Sequence, residues 1–356
     1  MSLAGRPIAD RTVLGGRMRR FTAVSGFTLL ATTILAAFLL PLVYMLFTAF
    51  KSDTQLSAPG APLWPASPET FEWQGEHYPV YSVPTADGVH DWALVEPHRE
   101  DAVFIDPGNP DAGPITWQGR WRTLEQSWRL DLNVANFATA WQTIAFPRLF
   151  LNTMVIAGLS TLGAVASGIC VAYGFSRFRF PGRNGLFLLM LATIILPFQV
   201  TLIPTYAVYL SLGWVGTWLP LIVPHFFANA YNVFLLRQYF LTIPRDLDEA
   251  AMIDGAGPLR VLWSVIVPQA IPAIVAVTLF HFFWAWNEYF LPLVYLQGKP
   301  ELQPISVGLG RFNSLYSQET TLLQAAALMA MALPVVIFFL AQRAFMRGVV
   351  FGGVEK

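Results

Sequence analysis

Charge is scarce in this chain of 356 residues: Asp, Glu, Lys and Arg together make up 12%, and lysine occurs only at Lys51, Lys299 and Lys356. None of these lysines ends the glycine-rich loop that cradles nucleotide phosphates. Lys51 does precede Ser52, but Met45 and Phe50 stand where that loop needs glycines. No ATP hydrolysis through such a loop is therefore expected of this chain. Cysteine occurs once, at Cys170, which excludes an internal disulfide and predicts a small packing residue in a helix. There is no His-Glu-x-x-His pattern, and His77, His90, His98, His225 and His281 are scattered, so no metal site is expected. No nucleic-acid partner and no cofactor bound by this chain are expected either. What the chain does contain is apolar: 55% of residues are hydrophobic, with 28 Phe and 12 Trp, a composition for lipid rather than water.

Crossing the hydrocarbon layer takes roughly 20 apolar residues. Charge-free runs occupy 21–49, 149–176, 184–236, 261–287 and 320–342. The third is too long for one helix, and the turn-forming stretch SLGWVGTWLP at 211–220 divides it. Six transmembrane helices are predicted, with cores near 24–48, 152–175, 186–210, 217–236, 264–293 and 322–342, giving an all-α polytopic membrane protein. Pro197, Pro204, Pro224, Pro272 and Pro334 fall in or near these helices, where kinks are expected.

Positive charge near helix ends marks the cytoplasmic side. Arg6, Arg11, Arg17, Arg19 and Arg20 precede the first helix; Arg177, Arg179 and Arg183 follow the second; Arg343, Arg347 and Lys356 follow the last. Both termini are predicted to be cytoplasmic. The first apolar run exceeds the 7–15 residues of a signal-peptide core and has no small-residue cleavage site, so it reads as a retained helix. The predicted segments are 1–20 cytoplasmic, 21–50 the first helix, 51–148 an extracytoplasmic insert with its lead-in, 149–343 a five-helix core, and 344–356 a cytoplasmic tail.

Between residues 52 and 147 lie thirteen acidic residues and four arginines. HYPVYSVP, DWALVEP and DAVFIDP alternate as short strands do, and ADG and PGNPDAGP punctuate them, so a small β-rich module is predicted. Trp73, Trp92, Trp117, Trp121 and Trp128 could stack on sugars, but aromatics in so small a module more often form its core.

The loop 237–262, RQYFLTIPRDLDEAAMIDGAGPLRVL, reads differently. Asp246 with Glu249 fits a capping box, Ala250, Ala251, Met252 and Ile253 propagate a helix, and Gly255 and Gly257 stop it before Pro258. A short cytosolic helix with an apolar face formed by Ala250, Ala251 and Ile253 suits a groove on another protein.

EAAMIDGAGPLRVLWSVIVP resembles the Glu-Ala-Ala loop of ABC importer permeases. YGFSRFRFPGRNGLF, PFQVTLIPTY, FLLRQYFLTIP, FFWAWNEYFLPLV and RAFMRGVVFGGVEK are similar to the carbohydrate-uptake branch, the maltose-type G subunit. The resemblance covers about 15–55 and 133–356 and omits most of 60–130. It implies a type I ABC importer permease fold in the bacterial inner (plasma) membrane. It also implies a second permease of the maltose F type, an ATPase dimer binding ATP and Mg, and an extracytoplasmic sugar-binding protein. By position it implies a coupling helix carried by Asp246, Glu249, Ala250, Ala251, Ile253, Asp254, Gly255 and Ala256, with Glu249 facing a basic residue of the ATPase. Contact of the tail GGVEK with the ATPase pair is likewise implied.

In HFFWAWNEYF, Glu288 falls within or near the outer membrane region, where a carboxylate at the bilayer centre costs about 2.5–3.5 kcal/mol. His281 and Glu288 are seven apart and so share a helical face, with Trp284, Trp286 and Asn287 near enough to line a polar path for a sugar. The competing reading makes Trp286 and Tyr289 membrane-interface residues, with Asn287 and Glu288 linking helices. Two other classes fit less: a secondary transporter relaying protons through Glu288 and His281, and an intramembrane enzyme, for which no nucleophile or metal site is found. The first leaves the cytosolic helix unexplained.

Overall fold

The structure is a computed structural model that describes the backbone of residues 10–313 and 318–350, with side chains for 22, 24–313 and 318–342. The terminal arginines and Lys356, on which the orientation argument rests at both ends, lie outside the described side chains, as does the tail GGVEK. The chain divides into two compact units, 1–136 and 137–356.

In the first unit, α1 (Asp10–Ala49) contains the apolar span Val24–Ala49, which matches the first predicted helix. A short α2 (Asp53–Ser57) is capped by the Ser52 side chain, which accepts from Gln55 N. The insert then forms strands β1 (Ala66–Pro68), β2 (Thr70–Trp73), β3 (Glu76–Thr85), β4 (Gly88–Pro97), β5 (Asp101–Ile105), β6 (Ile115–Gln118), β7 (Glu125–Gln126) and β8 (Trp128–Leu130). The larger sheet is antiparallel in the order β2-β3-β4-β5-β6, with β7 on β3, while β1 pairs with β8.

The three segments predicted as strands are β3, β4 and β5. The β2–β3 hairpin turns at Gln74 (φ 52°) and Gly75 (φ 83°), both left-handed, as a two-residue turn matched to strand twist requires. Val83, Leu94, Ala102 and Phe104 form the core beneath Trp92, Trp117 and Trp121. Three of the five tryptophans thus serve packing, as the plainer reading held. Buried Gln55 donates to the carbonyls of Pro62 and Trp64 and accepts from Ala66 N, fixing the lead-in; the Asn136 amide donates to the carbonyls of Ala49 and Lys51, clasping the two ends of the module.

The boundary falls within α3 (Ala135–Thr143), and the second unit continues in α4 (Phe146–Arg177), α5 (Arg183–Ile195), α6 (Phe198–Ser211), α7 (Leu219–Ile222), α8 (Ala230–Thr242), α9 (Arg245–Ile253), α10 (Pro258–Val261), α11 (Val267–Gln269), α12 (Ile271–Asn287), α13 (Phe290–Tyr295), α14 (Ile305–Leu309) and α15 (Thr320–Val350). Among the described residues, four stretches of the chain are long and apolar enough to cross a membrane: Val24–Ala49, Phe146–Arg177, Leu219–Thr242 and Thr320–Gln342. The other two predicted spans are bent pairs, α5 with α6 at 98° and Pro258–Gln269 with α12 at 81°.

Proline chemistry accounts for both bends. Leu196 precedes Pro197 and is driven out of the helical region to φ −68°, ψ 118°. Ala270 leaves helical geometry at φ −95°, ψ 6°, just before Pro272, which has no N–H to continue the ladder. The predicted continuous helices 186–210 and 264–293 are therefore broken, the latter again at Glu288.

Helix α4 is the hub, packed against α8 and α12. Gly163 lets the Phe226 ring press onto its backbone; an added Cβ would lie 2.4 Å from the ring. Ile169, Tyr173, Val233, Leu236, Phe240, Leu262 and Ile266 bury the lower seam. Cys170 is exposed on α4, so the expectation of a packed cysteine fails.

Candidate functional site: an exposed loop helix and a paired cavity

The loop helix is α9. It starts one residue before Asp246, after Pro244, with no side-chain cap, so the predicted capping box does not form: Asp246 and Glu249 are both inside the first turns and exposed. Pro244 has displaced the start because its fixed φ and missing N–H suit the position just before a helix.

Of the predicted stop, the Gly255 part forms. Gly255 has φ 82°, Gly255 N donates to Met252 O at 3.0 Å, and Ala256 N donates to Ala251 O at 2.9 Å, the paired bonds of a Schellman motif. Gly257 is extended and opens the next helix.

Two faces result. Ala251 and Ala256 are half-buried against the core beside Tyr173 and Val261. Glu249, Ala250, Ile253 and Asp254 are exposed, Ile253 by 87% and its neighbour Met252 by 53%. The outward face is an apolar tip beside acidic residues, without a partner among the described residues.

Asp248, passed over in the sequence, is the inward acid. Its Oδ2 lies 2.7 Å from Arg177 Nε at the end of α4, with both side chains more than nine-tenths buried. Arg177 Nη2 also donates to Ile243 O, Arg245 Nη2 to Ser176 O, and Tyr173 Oη to Pro258 O. Burial pushes the Asp248 carboxyl above the usual range; the Arg177 and Arg245 guanidiniums oppose this, and Glu249 adds to it. The pair is 71 positions apart, and nothing in the local sequence signals it.

The residues grouped on the fifth predicted helix separate. Trp286, 3% exposed, packs with Phe150, Phe282 and Ala157. The Asn287 amide donates to Phe283 O of its own helix. Helix α12 ends at Asn287, and Glu288 turns extended, so the seven-residue spacing does not place Glu288 on the face of His281. Its Oε1 accepts from Leu291 N at the start of α13, and its carbonyl accepts from Ser306 Oγ.

Trp284 remains, 47% exposed, between two hollows. One, of about 30 Å³, is lined by Thr153, Ser160, His225, Trp284 and Glu288. The other, of about 270 Å³, is lined by Asn229, Tyr231, Asn232, Phe280, His281 and Trp284. The His225 and His281 rings meet edge to face at 4.9 Å between centroids, and Trp284 lies 5.6 and 5.5 Å from them. Asn232 Nδ2 lies 3.2 Å from His281 Nδ1, and His281 Nε2 is buried without a hydrogen-bond partner among the described residues. The amides of Asn229 and Asn232, the His281 imidazole and the Trp284 indole line the larger hollow, a set that can stack on and hydrogen-bond a hydroxyl-rich solute. His225 and Asn232 were not visible as members because they lie on other elements. Among the described residues no cluster of three or more His, Cys, Asp or Glu could hold a metal ion.

A helical unit with membrane-length spans, a hollow lined by amides, an imidazole and an indole, and an amphipathic helix whose outer face has no partner among the described residues suits a membrane permease component worked by a second protein. The chain belongs to the binding-protein-dependent transport system inner membrane component family, whose model matches residues 161–350. It is 35% identical over 71% of its length to the osmoprotective compounds uptake permease protein of Synechocystis sp., covering 86% of that protein. It is 34% identical over 58% of its length to the sn-glycerol-3-phosphate transport system permease protein of Agrobacterium fabrum, covering 73% of that protein. A bacterial ABC transporter involved in the import of the acidic polysaccharide alginate contains a chain of similar fold, with TM-score 0.65 and 19% identity over 96% of this chain and all of that one. This chain is therefore an inner-membrane permease subunit of a binding-protein-dependent ABC importer with the type I permease fold, and the ATPase of such an importer is a separate chain.

Proposed function

We propose that the solute is a sugar or polyol, an oligo- or disaccharide fitting best, and that this chain admits it to the cytoplasm by ATP-driven alternating access. The observation that carries the reading is the Trp284 hollow with its Asn232–His281 amide and imidazole, because stacking faces and hydrogen-bonding groups together match a sugar's amphipathic surface. Relatives named for glycerol phosphate and for alginate handle hydroxyl-rich solutes, which favours the same choice. His281, Trp284 and Glu288 belong to the pathway in this reading; Trp286 and Asn287 are packing and helix-end residues.

The two bent pairs are taken as one span each, giving six, with both termini cytoplasmic and the β module outside. The exposed face of α9, with Asp246, Glu249, Ala250, Ile253 and Asp254, docks on an ATPase that binds ATP and Mg; Ala251, Gly255 and Ala256 set the helix in place. A maltose F-type permease completes the pair, and an external sugar-binding protein delivers the solute.

The test is gentle affinity purification of the chain from its native membrane, identification of companions, and measurement of ATP hydrolysis with the matching binding protein and a panel of sugars and polyols. Stimulation by one of these supports the proposal. A copurifying ATPase that none stimulates discards the sugar, and no ATPase at all discards the docking role of α9.

A further inference from the structure

Forward along the chain, the path from α9 into α12 passes through a π-helical turn at Leu262–Ile266 and then an 81° bend at Ala270. That path is compliant. A second path is stiff: Asp248, on the inward face of α9, meets Arg177, the last residue of α4, at 2.7 Å in a buried setting, and the Arg177–Ile243, Arg245–Ser176 and Tyr173–Pro258 hydrogen bonds surround it. Removing one partner of such a buried pair strands a charge, so the joint resists opening.

From Arg177, α4 runs unbroken to Phe146, and its far half supplies Thr153, Ile156 and Ser160 to the hollow that holds Trp284 and Glu288. Residues 153 to 177 span about 36 Å at 1.5 Å per residue. We infer that Arg177 and Asp248 are positioning residues that make α9 and α4 one rigid body, so that a displacement of the loop helix reaches the smaller hollow, which adjoins the solute hollow at Trp284, through α4 rather than through the fifth span. The inference rests on the reading of α9 as the ATPase-docking helix.

The chain's single cysteine supplies the probe. In the purified complex, one spin label goes on Cys170, exposed on α4, and a second on Leu247→Cys, at a partly exposed site on α9, and their distance is measured by pulsed electron resonance with and without Mg-ATP and vanadate. The expected result is one narrow distance that nucleotide trapping leaves unchanged. With Asp248→Asn the trapped state should show a shifted or broadened distance while the ATPase still copurifies. The double variant Arg177→Gln/Asp248→Asn, which leaves no stranded charge, should regain part of the narrow distribution.

Solute-stimulated hydrolysis should fall about tenfold in Asp248→Asn, within the roughly 5- to 150-fold range of couplings between linked sites. A distance in the unsubstituted pair that shifts on trapping overturns the inference, as does an Asp248→Asn complex indistinguishable from the parent. If Asp248→Asn does not accumulate, Asp248→Glu keeps the charge at a displaced position; normal hydrolysis and distance in that variant also overturn it. Failure of the docking reading is seen separately, as a parent chain from which no ATPase copurifies.

Discussion

Gly255 is the point where local backbone chemistry should be most visible in function. Its φ of 82° is left-handed, and no atom lies within 4 Å of where a Cβ would be, so Gly255→Ala creates no clash and the whole cost is conformational. That cost is roughly 1–2 kcal/mol for a residue carrying Cβ. If the strain is relieved by opening the C-terminal motif of α9, the opening equilibrium rises about 5- to 30-fold. The amides that report it are Gly255 and Ala256, bonded to Met252 O and Ala251 O, so their hydrogen-exchange protection in the detergent-solubilised complex should fall by that factor. Gly257→Ala is the control, because Gly257 has φ −73°, ψ 167° and equally open surroundings; its protection pattern should match the parent. Gly255→Asn should fall between, since Asn visits the left-handed region more readily. Equal effects of Ala at 255 and 257, or none at 255, would refute the argument that the motif sets the end of α9.

Glu249→Arg should leave membrane insertion intact and reduce ATPase copurification, since Glu249 is exposed and caps nothing in α9; undiminished copurification would remove it from the docking face. Trp286→Ala should cost about 3–5 kcal/mol and lower the thermal unfolding midpoint in detergent, whereas Trp284→Ala should leave that midpoint in place and reduce solute-stimulated hydrolysis. The reverse pattern would exchange their assignments. Gly163→Val, pressing into Phe226, should cost about 1–3 kcal/mol by overpacking, seen as reduced protein in the membrane fraction. Replacing 65–125 by a short linker should spare ATPase assembly and weaken stimulation by the binding protein, because Asn136 already ties the chain just outside the module to Ala49 and Lys51. Loss of assembly would make the module part of the permease fold.

The parts of this fold that were legible in the sequence are those set by chemistry within a few residues. Alternation fixed β3, β4 and β5, because each residue's face in a strand follows from its neighbours. Glycine fixed the end of α9, because a left-handed residue excludes most side chains. The start of α9 was misplaced by one short-range competition: Asp246 and Glu249 have capping-box spacing, but Pro244 claims the position before the helix. The bends at Leu196 and Ala270 were signalled by proline but not sized, since the angle depends on what packs against the freed backbone.

The site was less legible, because helical spacing describes one helix and a hollow is made by several. Spacing grouped His281 with Glu288, but the helix ends at Asn287, and the two residues line different hollows joined only by Trp284. The real neighbours of His281 are Asn232, 49 positions earlier, and His225. The same limit hid Asp248. Counted as one more acid in a cytosolic loop, it gave no reason to be placed inward; its role exists only because Arg177, counted as one more topological charge, ends α4 at the level where α9 begins to pack. A buried pair of this kind contributes little net stability against an apolar pair of equal volume, so a role in stability alone gives weak reason for two charges here. A joint that must hold one orientation under load gives a stronger one, because the Arg177–Ile243 and Arg245–Ser176 hydrogen bonds beside the ion pair have a direction that apolar contacts lack.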